Sequence, residues 1–234
     1  MRNESGVLNS YNLKLIAIIT MFIDHFTAVL IPSNTSIYMV LRGVGRLSFP
    51  IFAFLIVEGF YHTSNIKKYL IRLGLFALIS EIPFDLAFYK KTYYMGHQNI
   101  FFTLLLGLIL IALLEKIDEK YSNNLWLRNS FSSLLILFIS TISIVMKTDY
   151  EFAGIFMILA FYYFRGYIVK LGIFIFFLQF ILFGLFQTIG TLSIFIINKY
   201  NGKKGKSLKY FFYFFYPAHL MVLYIVYKYY GQIK

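Results

Sequence analysis

Residues 13–32 read LKLIAIITMFIDHFTAVLIP. A run of about twenty largely apolar residues is long enough to cross a bilayer as an α-helix. Its ionisable residues are Lys14, at the edge where a long side chain can reach the interface, and Asp24 and His25 further in. Ten residues of helix beyond Lys14 amount to about 15 Å, near the middle of a hydrocarbon core about 30 Å thick. A carboxylate at that depth costs about 3 kcal/mol on insertion scales. Asp24 is therefore expected to meet a partner or a wet cavity rather than lipid. Two readings follow: a functional Asp24–His25 pair, or a structural polar lock between helices.

The rest of the 234-residue chain agrees with a membrane solvent. It is 59% hydrophobic and 21% aromatic, with 14% charged residues against about 25% in soluble domains. The apolar residues come in long runs broken by short polar stretches. The reading is an all-α, polytopic transmembrane helix bundle forming a single integral membrane domain over residues 1–234, with no repeat, linker or soluble domain. There is no cysteine, which excludes disulfides and thiol chemistry. No early apolar stretch with a small-residue cleavage site is present, so the first span is expected to be retained. The formal net charge of +12 points to membrane orientation and lipid headgroups, not to nucleic acid.

Nine spans are expected, near 13–31, 39–60, 69–88, 99–115, 131–146, 152–164, 168–183, 185–198 and 209–229. The seventh and eighth share one apolar stretch, with a turn expected between Gly184 and Gly190. With nine spans, 15 of the 22 Lys and Arg fall on the side of the N-terminus, from Arg2 and Lys14 to Lys199–Lys209; the other seven, Lys234 among them, fall opposite. The positive-inside rule then puts the N-terminus in the cytoplasm and the C-terminus outside.

Ionisable residues recur inside other spans. Span two carries Arg42 and Arg46 on one face, which can be interfacial anchors, then Pro50, expected to kink the helix. It ends in Glu58 and His62, either a solvated helix end or the entry of a cytoplasmic cosubstrate. Span three holds Glu81 and Asp85 beside Pro83. They suit the lining of a polar cavity or an ion-pair lock, for example with Arg46. His97 reads as an exposed loop histidine and Asn99 as the N-cap of span four. Tyr216, Pro217 and His219 lie at the middle of the last span, at the depth of Asp24, His25 and Glu81. Neutral histidine is a good general base near pH 7. His and carboxylates could also hold a metal, but their spacing on separate spans has no ligand signature, so no metal is assigned.

Several blocks taken together resemble the TraX family of membrane proteins. They are LKLIAIITMFIDH at 13–25, LRGVGRLSFPIFAFLIVEGFYHT at 41–63 and KYLIRLGLFALISEIPFDL at 68–86. NIFFTLLLGL at 99–108, YNGKKG at 200–205 and FYPAHL at 215–220 complete the set. The resemblance implies a membrane-embedded acetyltransferase in a bacterial cytoplasmic membrane. Acetyl-coenzyme A would be the donor and a pilin N-terminal amine the archetypal acceptor; other peptides or glycans are alternatives. On that expectation Lys67, Lys68, Arg72, Lys203, Lys204 and Lys206, with Glu58 and His62, would hold the coenzyme at the inner mouth. His25, oriented by Asp24, would act as base or acyl carrier, with His219 as the second candidate. Arg46 would stabilise an oxyanion, Glu81 would join the catalytic group, and Asp85, Asn99 and Tyr216 would contact substrate. A proton-coupled transporter, or a structural subunit of a pilus or secretion assembly, are the competing readings.

Overall fold

The structure is a computed structural model that describes residues 6–232. Arg2 and Lys234, both counted in the charge asymmetry, lie outside the described residues. The chain forms α1 (Ser10–Leu30), α2 (Ser36–Gly45), α3 (Ser48–His62), α4 (Ile66–Tyr89) and α5 (Ile100–Lys120). It continues through α6 (Leu125–Val145), α7 (Glu151–Tyr163), α8 (Ile168–Phe183), a 3-10 segment (Leu185–Leu192), α9 (Ser193–Ile197) and α10 (Lys209–Tyr230). The protein is an all-helical membrane bundle. Among the described residues, extended pairing is confined to two isolated bridges.

The expected span boundaries reappear with physical causes. Asn9, Asn65, Asn99 and Asn124 cap α1, α4, α5 and α6, each side chain accepting a hydrogen bond from a backbone N–H of the first turn. The second span is two helices. The break falls at Arg46–Leu47, four residues before Pro50, whose missing N–H leaves the Arg46 carbonyl without its helical donor. Pro83 and Pro217 sit inside α4 and α10. The seventh and eighth spans turn at Gly184, whose φ of 80° favours glycine. The returning limb is mostly 3-10 helix.

Among the described residues, five segments are long and apolar enough to cross a membrane: α1, α2 with α3, α5, α6 and α10. α4 has the length, but Arg72, Glu81 and Asp85 lie along it. α7 and α8, at 13 and 16 residues, are short. At 1.5 Å per residue they extend about 20 and 24 Å, less than a full core.

Contacts between loops sort the ends. Leu8 and Ser10 donate backbone hydrogen bonds to Lys199 and Lys203, at 2.9 Å each, so the start of α1 is tied to the 199–204 turn. Glu58, at the end of α3, accepts from Arg165 at 3.0 Å. At the opposite end, Gln98 donates to Lys147 and accepts from Asp149. Successive segments thus alternate direction between the two ends of the bundle. The end that carries the start of α1 is called here the basic end, and the other the far end. The core is built around α1, α3, α4, α5 and α10. Among the described residues α6 packs chiefly against α5 and α7, at the periphery.

Candidate functional site

A cavity of about 410 Å³ opens at the basic end between α1, α3, α4, α5 and α10. Its mouth carries Lys14, Arg72, Lys204, Lys206 and Lys209, with Glu58 and His62 on the α3 side. Its walls are apolar, from Phe52, Leu55, Leu73 and Leu104 among others, and its inner end is closed by Met21, Ile100 and Tyr216. From Lys209 to Tyr216 is seven residues of α10, about 10 Å.

One turn below that floor lie His25 on α1 and His219 on α10. His25 Nδ1 is 2.8 Å from His219 Nε2, and the rings are parallel within 5°. His219 Nδ1 is 2.7 Å from the Phe215 carbonyl. For two neutral imidazoles, counting protons fixes the tautomers. A carbonyl only accepts, so His219 Nδ1 carries the hydrogen and its Nε2 accepts. His25 Nδ1 must then donate, which leaves the lone pair of His25 Nε2 for chemistry. Tyr216 sets its ring edge-on to both imidazoles, at 5.9 and 5.6 Å between centroids. Phe88 meets His25 and Phe22 meets His219 edge-on, and Phe215 stacks on His219.

Asp24 faces elsewhere. Its carboxylate accepts from Arg42 at 2.5 Å and from Arg46 at 3.4 Å. The expectation that Asp24 orients His25 is corrected here: neighbours on a helix point about 100° apart and do not share a partner. Asp24 is the polar lock, His25 the member of a histidine pair. Arg46 does not lock Glu81 and Asp85 either. It binds Asp24, Gln187 at 3.2 Å and the Arg42 carbonyl at 3.3 Å. Arg42 is likewise an ion-pair partner rather than a free interfacial anchor.

Glu81 and Asp85 belong to a far-end cluster. Glu81 Oε2 accepts from the side chain and backbone N–H of Asn99. Asp85 Oδ2 accepts from the Tyr94 N–H at 2.6 Å, and Asp85 is fully buried. Glu81 Oε1 and Asp85 Oδ1 are buried without a hydrogen-bond partner. His97, expected as a plain loop histidine, is 3.6 Å from Asp149. The hydrogen bond and charge of that carboxylate raise the His97 pKa above its ordinary value, against the opposing effect of burial.

Among the eight residues expected around a coenzyme, Glu58, His62, Arg72, Lys204 and Lys206 line the cavity. Lys67, Lys68 and Lys203 do not: α4 turns Tyr69, Arg72 and Leu73 inward and leaves Lys67 and Lys68 outside. His25, His219 and Tyr216 come together, whereas Glu81, Asp85 and Asn99 cluster separately, towards the far end. Sequence reasoning missed Lys14, Tyr69 and Lys209 at the cavity, Arg165 beside Glu58, and Gln187 and Tyr150 near Arg46. Gln187 carried a signal: it is a lone amide in a long apolar run.

The profile of the family described as "TraX protein" matches residues 10–227. The chain belongs to the TraX family. This TraX chain is also 36% identical to the "Probable fimbrial assembly protein FimC, serogroup H1" of Dichelobacter nodosus. That match covers 45% of the chain and 46% of the relative, so the chain spans less than half of the relative's length. No solved structure matches this TraX chain.

Proposed function

We propose that this TraX protein is a membrane-embedded acetyltransferase that takes the acetyl group of cytoplasmic acetyl-coenzyme A to an amine or hydroxyl acceptor. The name of the fimbrial relative supports a pilus- or fimbria-related role, with a pilin, another peptide or a glycan as acceptor. The observation that carries the reading is the free Nε2 of His25, one turn below the floor of a basic-mouthed cavity. The charge asymmetry supports placing the basic end in the cytoplasm of a bacterial inner membrane, with the C-terminus outside.

The cavity suits the donor. Lys14, Arg72, Lys204, Lys206 and Lys209 at the mouth offer cations to the coenzyme phosphates. The apolar walls suit the pantetheine arm, which would bring the thioester to Tyr216 and the histidines. The acceptor comes from the far end, where His25 is five residues, about 8 Å, from the end of α1. His25 Nε2 removes the acceptor's proton as its nitrogen or oxygen attacks the thioester carbonyl. The carbon–sulfur bond breaks, and the coenzyme leaves as thiolate and takes up that proton. His219 is a positioning residue that holds the tautomer of His25.

The test is transfer of isotope-labelled acetyl from acetyl-coenzyme A by purified protein in nanodiscs, with host membrane extract as the acceptor source. The wild type is expected to label a protein, peptide or glycan, and His25→Ala to lose about 10²–10⁴-fold in rate. A folded His25→Ala variant with full activity overturns the assignment of His25. Wild-type protein that neither binds the coenzyme nor releases its thiol overturns the acetyltransferase reading, and substrate flux in vesicles would then mark a transporter.

A further inference from the structure

On the outside of the bundle, α5 and α6 leave a groove of about 490 Å³ that the acetyltransferase reading does not use. It runs from Lys116 and Lys120 at the basic end, past Ile117 and Phe131, to Leu134 and Phe138. Phe131 to Phe138 is seven residues of α6, about 10 Å of apolar trough. Its upper wall is a stack of Tyr121 on Phe131, with centroids 5.0 Å apart. Lys120 lies 5.3 Å above the Tyr121 ring.

Three observations say what covers the groove. First, α6 is the peripheral helix and presents Leu134, Leu137 and Phe138 outwards, each more than 60% exposed, as a lipid-facing helix would. Second, Trp126 stands exposed at the start of α6, at the basic end, where indoles mark the level of lipid headgroups. Third, charge is sorted around the α5 terminus. Lys116 and Lys120, one turn apart, edge the groove, and none of Glu115, Asp118 and Glu119 is among its lining residues. Asp118 pairs with Arg128 at 3.8 Å, and Glu115 acts on Tyr61 and Tyr162, towards α3 and α7. An apolar trough that ends in two cations at headgroup level matches an acyl chain joined to a negatively charged phosphate.

We propose that the α5–α6 groove is a binding site for one anionic phospholipid of the leaflet at the basic end. Its acyl chain lies along Phe131, Leu134 and Phe138, and its phosphate is held by Lys116 and Lys120. A second copy docked by the same face would set lysines against lysines, which disfavours a symmetric dimer there.

The test uses the indole as reporter. Trp126 is the sole tryptophan, so Trp126→Phe with Phe131→Trp puts the only indole in the groove. Nanodiscs of phosphatidylcholine are prepared with increasing fractions of brominated phosphatidylglycerol or of brominated phosphatidylcholine. Phosphatidylglycerol is expected to quench at a mole fraction about thirtyfold lower, from about 1 kcal/mol for each of two lysines. Lys116→Gln with Lys120→Gln should bring the two lipids to parity. As an independent readout, native mass spectrometry of the unsubstituted protein should retain one phosphatidylglycerol, lost in the double glutamine variant. Equal quenching by both lipids and no retained adduct overturns the proposal. So does an unquenched indole in a protein that has the mass of a dimer.

Discussion

Gly45 ends α2 where it crosses α1. A Cβ at Gly45 would lie 2.1 Å from Asp24 Oδ1, 2.3 Å from its Cβ and 2.5 Å from its Cγ. Carbon atoms in contact sit about 3.5–4.0 Å apart, so Gly45→Ala requires the two helices to separate by more than about 1 Å. Asp24 Cβ is fixed by the α1 backbone and cannot rotate out of the way. The same shift stretches the ion pairs of Asp24 with Arg42 and Arg46, at 2.5 and 3.4 Å, because both arginines ride on α2 or its end. Overpacking of this kind costs about 1–3 kcal/mol. For a chain of this size that lowers the melting temperature by about 2–12 °C. The assay is thermal unfolding in detergent within a double-mutant cycle. Asp24→Gly removes all three clashing atoms, so Gly45→Ala should be close to neutral in that background, and the coupling energy should nearly equal the single-variant cost. An equal loss in both backgrounds, or none in the wild type, refutes the packing of α2 on Asp24.

Three further outcomes are expected. His219→Ala should slow acetyl transfer by at least about tenfold, inside the ~10⁴-fold that a wrong tautomer costs in a serine-protease triad. His219→Gln, whose amide oxygen can still accept from His25 Nδ1, should recover most of the rate; equal losses in both variants would count against His219 as the group that holds the His25 tautomer. The raised His97 pKa makes its pairing with Asp149 a pH-dependent contribution. It is fully present below the unfolded value of about 6.5 and is lost as pH rises through the folded-state value. A melting-temperature profile should show that loss in the wild type and not in Asp149→Asn. Asn99→Ala removes the N-cap of α5 and a donor to Glu81, and should cost about 1–3 kcal/mol by denaturant titration, with a neutral result excluding both roles.

Much of the architecture was legible because lipid imposes simple rules. The apolar runs gave the segments, the asparagines gave their starts, and the lysines and arginines gave the alternation of ends that the Leu8–Tyr200 and Gln98–Thr148 bridges display. Depth was legible too, since Tyr216 and His219 meet His25 as equal rise along two helices predicts. Azimuth was not. Whether Asp24 or His25 faces α10 depends on how α1 is rotated against its neighbours, and in the structure Asp24 is turned to α2 beside Gly45. For the same reason Lys67, Lys68 and Lys203 could not be told from Arg72, Lys204 and Lys206. All are basic at one end, and only the facing of α4 and of the 199–204 turn separates them. The 3-10 limb after Gly184 was hidden because an apolar run carries no mark of helix type.

The polar groups divide by the sides from which they can be reached. Cations gather at the basic mouth, about 10 Å above Tyr216, and carboxylates with His97 gather at the far end. The histidine pair lies between them, one turn below the cavity floor and about 8 Å from the far end of α1. A donor with a long flexible arm and an anionic head needs the deep, basic-mouthed approach. An acceptor carried on a bulky chain needs the short one. A proton wire would need an unbroken series of acid–base groups along both limbs, whereas on the basic side Glu58 and His62 stay at the mouth and Tyr69 and Tyr213 are set among Phe52, Leu55, Leu73 and Leu104. A largely apolar shaft whose floor of Met21, Ile100 and Tyr216 stands one turn above the histidine pair suits the arm of an acyl donor better than a chain of proton carriers.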